Sequence, residues 1–133
     1  MRTGAIVRAS TQVAVPADAE SAVVTKAVLR AARRLGVSNR TLARIIGVSE
    51  ATVSRMDKGS YTLSPDDKPF ELALLFVRLF RSLDAVVGGD EPVSRAWLRN
   101  ENVALGGAPL ALIQTISGLV NVLAYLDARR ALV

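Results

Sequence analysis

The chain of 133 residues contains no cysteine and no histidine. The lack of cysteine excludes disulfides and thiolate chemistry, and the lack of both residue types removes the usual ligands of zinc. Histidine is also the side chain that most often acts as a general base in enzymes. We therefore expect neither an enzyme nor a protein with a bound metal or cofactor.

Adjacent carboxylates occur twice, as Asp66-Asp67 and Asp90-Glu91, and both pairs fall in predicted turns. Neighbouring side chains on a turn seldom converge on one substrate, and no nucleophile or base accompanies either pair. Solvated loops explain these carboxylates better than a catalytic site does.

Aromatic residues are scarce, at 5%, although half of the chain is hydrophobic, so the core must consist of leucine, valine, isoleucine and alanine. This composition favours helices, and no segment alternates as a half-buried strand does. The longest run of hydrophobic side chains, Leu72 to Val77, has six residues and is too short to span a bilayer. Residues 1–15 contain no apolar run of signal-peptide length, so we expect a cytoplasmic protein without a membrane partner.

The net charge of +5 is unevenly distributed. Residues 1–69 carry 11 lysines and arginines against 6 acidic residues, whereas residues 70–133 carry 6 of each sign. All of the excess positive charge therefore lies in the first half. Such an asymmetry indicates a polyanionic partner for that half only.

The hydrophobic pattern predicts an all-α chain in three parts. Residues 1–17 are predicted to form a flexible arm, and residues 18–69 a helical region whose first helix, 18–35, is ended by Gly36. Apolar residues recur in that helix at spacings of 4, 3 and 4, at Val24, Val28, Ala31 and Leu35. Turn residues over 59–69 mark a boundary, and residues 70–133 form the second helical region.

The second region begins with an apolar helix over 70–87, in which 13 of 18 residues are apolar and the polar Glu71, Arg78 and Ser82 share one narrow stripe. A short helix over 92–100 carries the only tryptophan, and a loop over 101–108 follows. Pro109 suits the first position of the next helix. We expect Ser117 and Gly118 to break that helix before a last one over 119–130.

The segment from Asn39 to Met56 fits a helix-turn-helix at six or more positions. Ala43 is the small residue where two helices cross, Gly47 takes the positive φ of the turn, and Ser49 caps the second helix. Val53 and Met56 then face inward, beside Leu42 and Ile46. The constraint on so many positions indicates a DNA-binding unit.

The second helix of this unit is expected to enter the major groove with its N-terminal end at the bases. Arg55 suits a guanine O6/N7 pair, which is worth roughly 1–3 kcal/mol of discrimination. Phosphates are expected at Thr41, Arg44, Lys58 and some of Arg30, Arg33 and Arg34. The DNA-binding candidates are Thr41, Arg44, Ser49, Glu50, Ala51, Thr52, Ser54, Arg55 and Lys58.

Simpler interpretations remain open for this half. The pattern also occurs in helical pairs with a purely structural role, and Arg30, Arg33 and Arg34 also suit a solvated face. Glu50 fits the role of a favourable charge at a helix N-terminus better than that of a base reader.

One helix-turn-helix reads too few bases to be selective, so a homodimer is expected. The apolar surface of the helix over 70–87 covers about two-thirds of its circumference, which is more than one neighbour usually hides. This helix is therefore a candidate for the dimer seam, for the central core of one chain, or for both.

The order of a helix-turn-helix, an apolar helix and the closing segment resembles the Xre/MbcA/ParS-type antitoxins of RES-domain toxin–antitoxin systems. The resemblance covers residues 20–130, and its most specific part lies near the end of the chain. The matching residues there are Trp97-Leu98, Asn102, Leu105-Gly106-Gly107, Pro109, and Gly118 before a closing helix. Relatives often have an acidic residue in the stretch that reads GGAPLALIQT here, which contains none.

The resemblance implies a type II antitoxin whose partner is a RES-domain toxin that uses NAD, either by degrading it or by ADP-ribosylating a protein. Residues 70–133, which also contain the candidate dimer helix, would then cover the active-site cleft of the toxin, and the first half would bind operator DNA and repress the shared operon. The candidate toxin-binding residues are Trp97, Asn102, Leu105, Gly106, Gly107, Pro109, Arg129 and Arg130.

The resemblance does not say which of these side chains enter the toxin. Trp97 is more typical of a core anchor than of an interface residue. Arg129 and Arg130 suit acidic groups of a partner or the space of the NAD phosphates, but cations in a last helical turn also complement the helix dipole. A different class of protein, a stand-alone regulator with a dimerising or ligand-sensing second half, also fits the residues.

Overall fold

The computed structural model describes residues 17–132. The predicted arm over 1–17 therefore lies outside the described residues except for its last position. Within 17–132 the chain forms seven α-helices and no strand, which confirms the all-α prediction. The helices are α1 Ala17–Arg34, α2 Asn39–Ile46, α3 Glu50–Asp57, α4 Lys68–Val86, α5 Glu91–Arg99, α6 Pro109–Leu112 and α7 Ile116–Arg130.

The first helix, α1, buries the stripe that its spacing predicts. Val24, Val28, Ala31 and Leu35 are all at most 8% exposed, and they pack in the main core. Gly36 follows with a φ of +67°, so the helix ends where a residue without a Cβ is available.

The long helix α4 is the central element of the fold. It packs against α1 and α2 of the helix-turn-helix half and against α7 of the second half. Phe76, Leu79 and Leu83 along α4 have no exposed surface. The two halves of the chain therefore share one hydrophobic core. The division of the chain at residues 69 and 70 stays a prediction, since α4 contributes to both sides of it.

The last helix, α7, covers α4 with Leu119, Val122, Leu123 and Leu126, all of which are buried. None of the helices in the described part of the chain is both long and apolar enough to cross a membrane.

The start of α7 differs from the prediction. The break lies at residues 113–115, and Ser117 and Gly118 belong to the first turn of α7, so the predicted break at these two residues is wrong. The physical reason is a cap, because the Thr115 hydroxyl accepts a hydrogen bond of 3.1 Å from the Gly118 N–H. Gly118 is required there for another reason, since a Cβ at this position would overlap the carbonyl oxygen of Leu112.

Candidate nucleic-acid and protein interfaces

The turn between α2 and α3 has the geometry that the sequence predicts. Gly47 has a φ of +77°, and the N–H groups of Gly47 and Val48 both donate to the carbonyl of Ala43, at 2.9 and 3.0 Å. Ala43 itself is buried between the helices. At the other end of α2, the Ser38 hydroxyl accepts from the Thr41 N–H at 3.1 Å. Both ends of α2 are thus closed by local hydrogen bonds.

The orientation of α3 is set by its cap and its buried side. The Ser49 hydroxyl accepts a hydrogen bond of 3.0 Å from the Thr52 N–H, as a capping serine does. Val53 and Met56 are buried, which confirms the predicted inward face. Glu50, Ala51 and Arg55 are exposed on the outside of the helix.

The candidate DNA-binding residues divide by exposure and by the bonds they already make. Thr41, Thr52 and Ser54 are half-buried, and the others are exposed: Arg44, Ser49, Glu50, Ala51, Arg55 and Lys58. The hydroxyls of Ser49 and Thr52 share a hydrogen bond of 2.9 Å. Arg55 donates to the Thr52 hydroxyl at 3.0 Å, and its guanidinium carbon lies 5.8 Å from the ring centre of Tyr61. Their roles toward DNA stay predictions.

Tertiary contacts distinguish the three arginines near the end of α1. Arg33 forms an ion pair of 2.9 Å with Asp57, the last residue of α3. Arg34 forms an ion pair of 2.7 Å with Glu91, and its guanidinium lies 5.5 Å from the ring centre of Phe80. Arg30 has neither kind of partner within residues 17–132. The sequence left both a phosphate contact and a solvated face open for each of these arginines, because the partners of Arg33 and Arg34 are 24 and 57 positions away.

Two arginines of α5 fasten the second half of the chain to the end of α1. Arg95 donates to the carbonyls of Arg34 at 2.9 Å and Arg33 at 3.2 Å. Arg99 donates to the carbonyls of Leu35 at 3.1 Å and Gly36 at 2.7 Å. The Arg33 carbonyl also accepts from the Gly36 N–H at 3.1 Å, whereas within the described part of the chain no backbone bond is found to the other three carbonyls, so the guanidinium groups complete the C-terminus of α1. Sequence reasoning missed this junction, because backbone acceptors leave no pattern in the side chains.

A closed loop over residues 102–107 follows α5. The Asn102 N–H donates to the Gly107 carbonyl at 3.1 Å, and the Asn102 carbonyl accepts from the N–H groups of Gly106 and Gly107 at 2.9 and 3.2 Å. The Asn102 side-chain oxygen accepts from the Leu105 N–H at 3.1 Å. Gly106 has a φ of +82°. One asparagine therefore holds both sides of this loop together.

The loop presents an apolar side chain to solvent. Val103, next to Asn102, is 98% exposed, whereas Leu105 is half-buried and packs against the core. Sequence reasoning did not single out Val103, because an apolar residue beside a turn does not show which way it faces. Only the bonds of the loop determine that direction.

Trp97 and Pro109 lie on the helices that flank the loop. Trp97 is half-buried in contact with the core and stacks on Tyr125 of α7, with ring centres 6.3 Å apart and planes inclined by 23°. Pro109 is buried at the first position of α6, as predicted. Both residues therefore belong to the packed part of the second half, and their contact with a toxin stays a prediction.

The two terminal arginines differ in their surroundings. The Arg129 guanidinium lies 5.3 Å from the ring centre of Tyr125, so Trp97 and Arg129 both contact this tyrosine. Arg130 reaches the hydroxyl of Ser82 at 3.4 Å. The same hydroxyl donates to Asp127 at 2.6 Å. Arg130 thus faces α4, and Arg129 lies on the aromatic pair.

Exposed apolar side chains are concentrated in the second half. Seven large hydrophobic residues are exposed within the described residues, and five of them lie beyond residue 90: Val93, Val103, Ile116, Val120 and Leu132. Ile116 and Val120 are four residues apart on α7 and so share one face of that helix. Residues 17–132 contain no group of acidic side chains that could hold a metal ion.

Two family models match most of the chain. The family model of the antitoxin Xre-like helix-turn-helix domain matches residues 14–78, and that of the antitoxin Xre/MbcA/ParS C-terminal toxin-binding domain matches residues 82–131. A chain in the crystal structure of the M. tuberculosis MbcT-MbcA toxin–antitoxin complex has a similar fold, with a TM-score of 0.63 and 22% sequence identity. The similarity covers 84% of this chain and 96% of that chain. Comparison with curated proteins finds no match.

Proposed function

Because the chain belongs to the Xre/MbcA/ParS-type antitoxins, we propose that it inhibits a RES-domain toxin that uses NAD and represses its own operon. In this proposal the toxin-binding domain covers the active-site cleft of the toxin, and the helix-turn-helix binds the operator. The protein acts in the cytoplasm, and it acts as a binding protein rather than as an enzyme.

The closed loop over 102–107 is the observation that carries the toxin-binding proposal. Its backbone is already held by the bonds of Asn102, so little conformational entropy is lost when a partner covers it. Val103, almost fully exposed, supplies the apolar group that a cleft can bury. In this proposal the toxin also covers Ile116 and Val120, which are exposed on one face of α7.

A point substitution tests this contact better than a truncation does. A chain cut after Asn100 would fail to protect cells, but the cut also removes the buried Ile113, Leu119 and Val122 and so destroys the core. Val103→Asp instead places an unpaired carboxylate in the proposed interface, which costs several kcal/mol when it is buried there.

We expect Val103→Asp to abolish both growth protection and copurification with the toxin encoded beside the antitoxin gene. Val23→Asp is the matched control, because Val23 is also an exposed valine, at 66%, but lies on α1. The control should protect cells fully. Full protection by Val103→Asp as well would show that the loop is not the inhibitory contact.

The proposed operator contact depends on the exposed side of α3. The buried Val53 and Met56 turn Glu50, Ala51 and Arg55 outward, and the Ser49 cap holds the end of the helix that meets the bases. The internal bond of Arg55 to Thr52 is exposed, so a guanine can replace it at small cost.

Arg55→Ala is expected to lose roughly 1–3 kcal/mol of operator discrimination while it still neutralises the toxin. Arg81→Ala is the control: it removes an equal charge from an exposed position of α4 and should leave operator binding nearly unchanged. The measurement is a binding titration with operator and random duplexes. Equal discrimination by wild type and Arg55→Ala would refute the proposed orientation of α3.

A homodimer completes this proposal, because paired half-sites need two reading helices. One observation supports the homodimer: Leu74, a large apolar residue beside the buried face of α4, is 42% exposed and so is available to a second copy of the chain. The mass of the purified chain in solution, measured by sedimentation, tests it. A monomer at micromolar concentration would contradict the dimer without affecting toxin binding.

A further inference from the structure

A basic cleft lies between α1 and the end of α3, apart from the outward face of α3. Its volume is about 360 Å³, and Lys26, Arg30, Arg33 and Lys58 border it. Asp57 is the one acidic residue among those that line it. The cleft therefore carries three more positive than negative side chains.

The positive charge of the cleft is largely uncompensated. Asp57 is already paired with Arg33 at 2.9 Å. Within residues 17–132, none of Lys26, Arg30 and Lys58 lies within 4 Å of a carboxylate. Three unpaired cations around one opening repel each other, and an anion placed between them would relieve that repulsion.

The walls of the cleft suit a chain of phosphates better than a small molecule. The buried side chains that line it are Leu29 and Met56, both apolar, and its polar groups are all exposed. Small-molecule sites generally need placed, buried polar groups to orient the ligand. Long exposed cations around an open cleft are instead typical of contacts to nucleic-acid backbones.

The position of the cleft links it to the helix that we expect to read bases. Lys58 directly follows α3, and Met56 lies on its inward side. Lys26, Arg30 and Arg33 follow at spacings of 4 and 3 along one face of α1, which spans roughly 10 Å. The basic residues of the cleft thus begin with Lys58 at the end of α3 and continue along α1, away from α3.

We propose that this cleft binds backbone phosphates of the DNA near the C-terminal end of α3, the end opposite to the one that meets the bases. The proposal rests on the proposed DNA-binding function and adds Lys26 to it, in one cleft with Arg30 and Lys58, for which the sequence already suggests phosphate contacts. Arg34 takes no part, because its guanidinium is held by Glu91 and Phe80. These contacts raise affinity for any sequence and do not discriminate between bases.

The test compares the full-length wild type with the triple variant Lys26→Ala/Arg30→Ala/Lys58→Ala. The control variant Lys68→Ala/Arg78→Ala/Arg81→Ala removes the same net charge from exposed positions of α4. Each protein is titrated with a duplex from the promoter of its own operon and with a random duplex of equal length. The titrations are repeated at several salt concentrations.

We expect the salt slope of the triple variant to fall in magnitude by about 2–3, since each lost phosphate contact removes about 0.9. Two to three contacts correspond to a loss of affinity of roughly 60- to 500-fold at 0.1 M salt, extrapolated from 1 M. The loss should be equal for both duplexes, so that the discrimination ratio stays that of the wild type. The control should lose less than about one unit of slope.

An unchanged slope, or equal losses in the triple and control variants, would overturn the cleft proposal alone. A wild type that binds the promoter no better than random DNA would overturn the operator proposal as well. If the triple variant keeps its DNA slope but no longer copurifies with the toxin, the cleft is a protein contact and the phosphate assignment is wrong. Circular dichroism melting of each variant verifies that all three proteins are equally folded.

Discussion

The substitution Gly118→Ala distinguishes local helix propensity from tertiary packing, because the two predict changes of opposite sign in the free energy of unfolding. Alanine has the higher helix propensity, by up to about 1 kcal/mol, so local preference alone predicts stabilisation. In the folded chain, however, a Cβ at this position would overlap the Leu112 carbonyl oxygen. It would also lie 2.7 Å from the Leu112 carbonyl carbon and 2.9 Å from the Thr115 hydroxyl oxygen.

The magnitude follows from the size of the overlap. Carbon atoms pack best at roughly 3.5–4.0 Å, so the contact with the Leu112 carbonyl carbon alone would require the backbone segments to separate by about 1 Å, and the overlap with its oxygen requires more. The Leu112 carbonyl is held by the Thr115 hydroxyl, which donates to it at 3.3 Å, and the next residue, Ile113, is fully buried. Overpacking against backbone costs about 3 kcal/mol or more, which leaves a net destabilisation of about 2–4 kcal/mol after the propensity gain.

Urea and thermal unfolding followed by circular dichroism measure this effect. A net loss of 2–4 kcal/mol corresponds to a decrease in Tm of roughly 6–20 °C for a domain of this size. Ser117→Ala is the matched control, because Ser117 is the exposed neighbour in the same helical turn and should change stability by less than about 0.5 kcal/mol. If Gly118→Ala is as stable as the wild type, the proposed close approach of the 112–115 turn to α7 is wrong.

Three further substitutions probe other features of the fold. Ser94→Ala should raise the free energy of unfolding by about 1 kcal/mol, because the buried Ser94 hydroxyl has no hydrogen-bond partner within the described residues; a loss in urea unfolding would contradict this. Arg99→Ala should lower the free energy of unfolding by about 1.5–3 kcal/mol, since the Leu35 and Gly36 carbonyls lose a charged donor. A change as small as that of Arg81→Ala would refute the role of Arg99 in joining α5 to the end of α1. Asn102→Ala should weaken toxin binding about fivefold, which is about 1 kcal/mol, because the free antitoxin loses the hydrogen bond from the Leu105 N–H that orders the loop. An unaltered dissociation constant with the purified toxin would argue against a preorganised loop.

The two halves of the chain are joined by the contacts of α4 and α5. α4 packs against α1 and α7 together, and Arg95 and Arg99 hold the end of α1 from α5. The loop over 102–107 begins three residues after α5 ends. The surface that we propose for the toxin is therefore carried by the same core as the helix-turn-helix.

The helix-turn-helix and most helix boundaries can be predicted from the order of residues alone. The positive φ of Gly47, the Ser49 cap and the inward face of Val53 and Met56 all follow from groups within four residues of each other. Such short-range bonds and periodic apolar positions are written directly in the order of residues. The all-α class followed from the same patterns, and so did the first position of α6 at Pro109.

Tertiary structure alone decided which groups meet across the chain. Ser82, one of three polar residues on a stripe of α4, is buried against Asp127, 45 positions away. Gly118 lies where the Leu112 carbonyl approaches, and Val103 points outward because Asn102 closes its loop. Periodicity shows that a face is apolar or polar, but it does not show which distant element covers that face. Partners of buried hydroxyls, backbone carbonyls and arginines are chosen only when the helices pack.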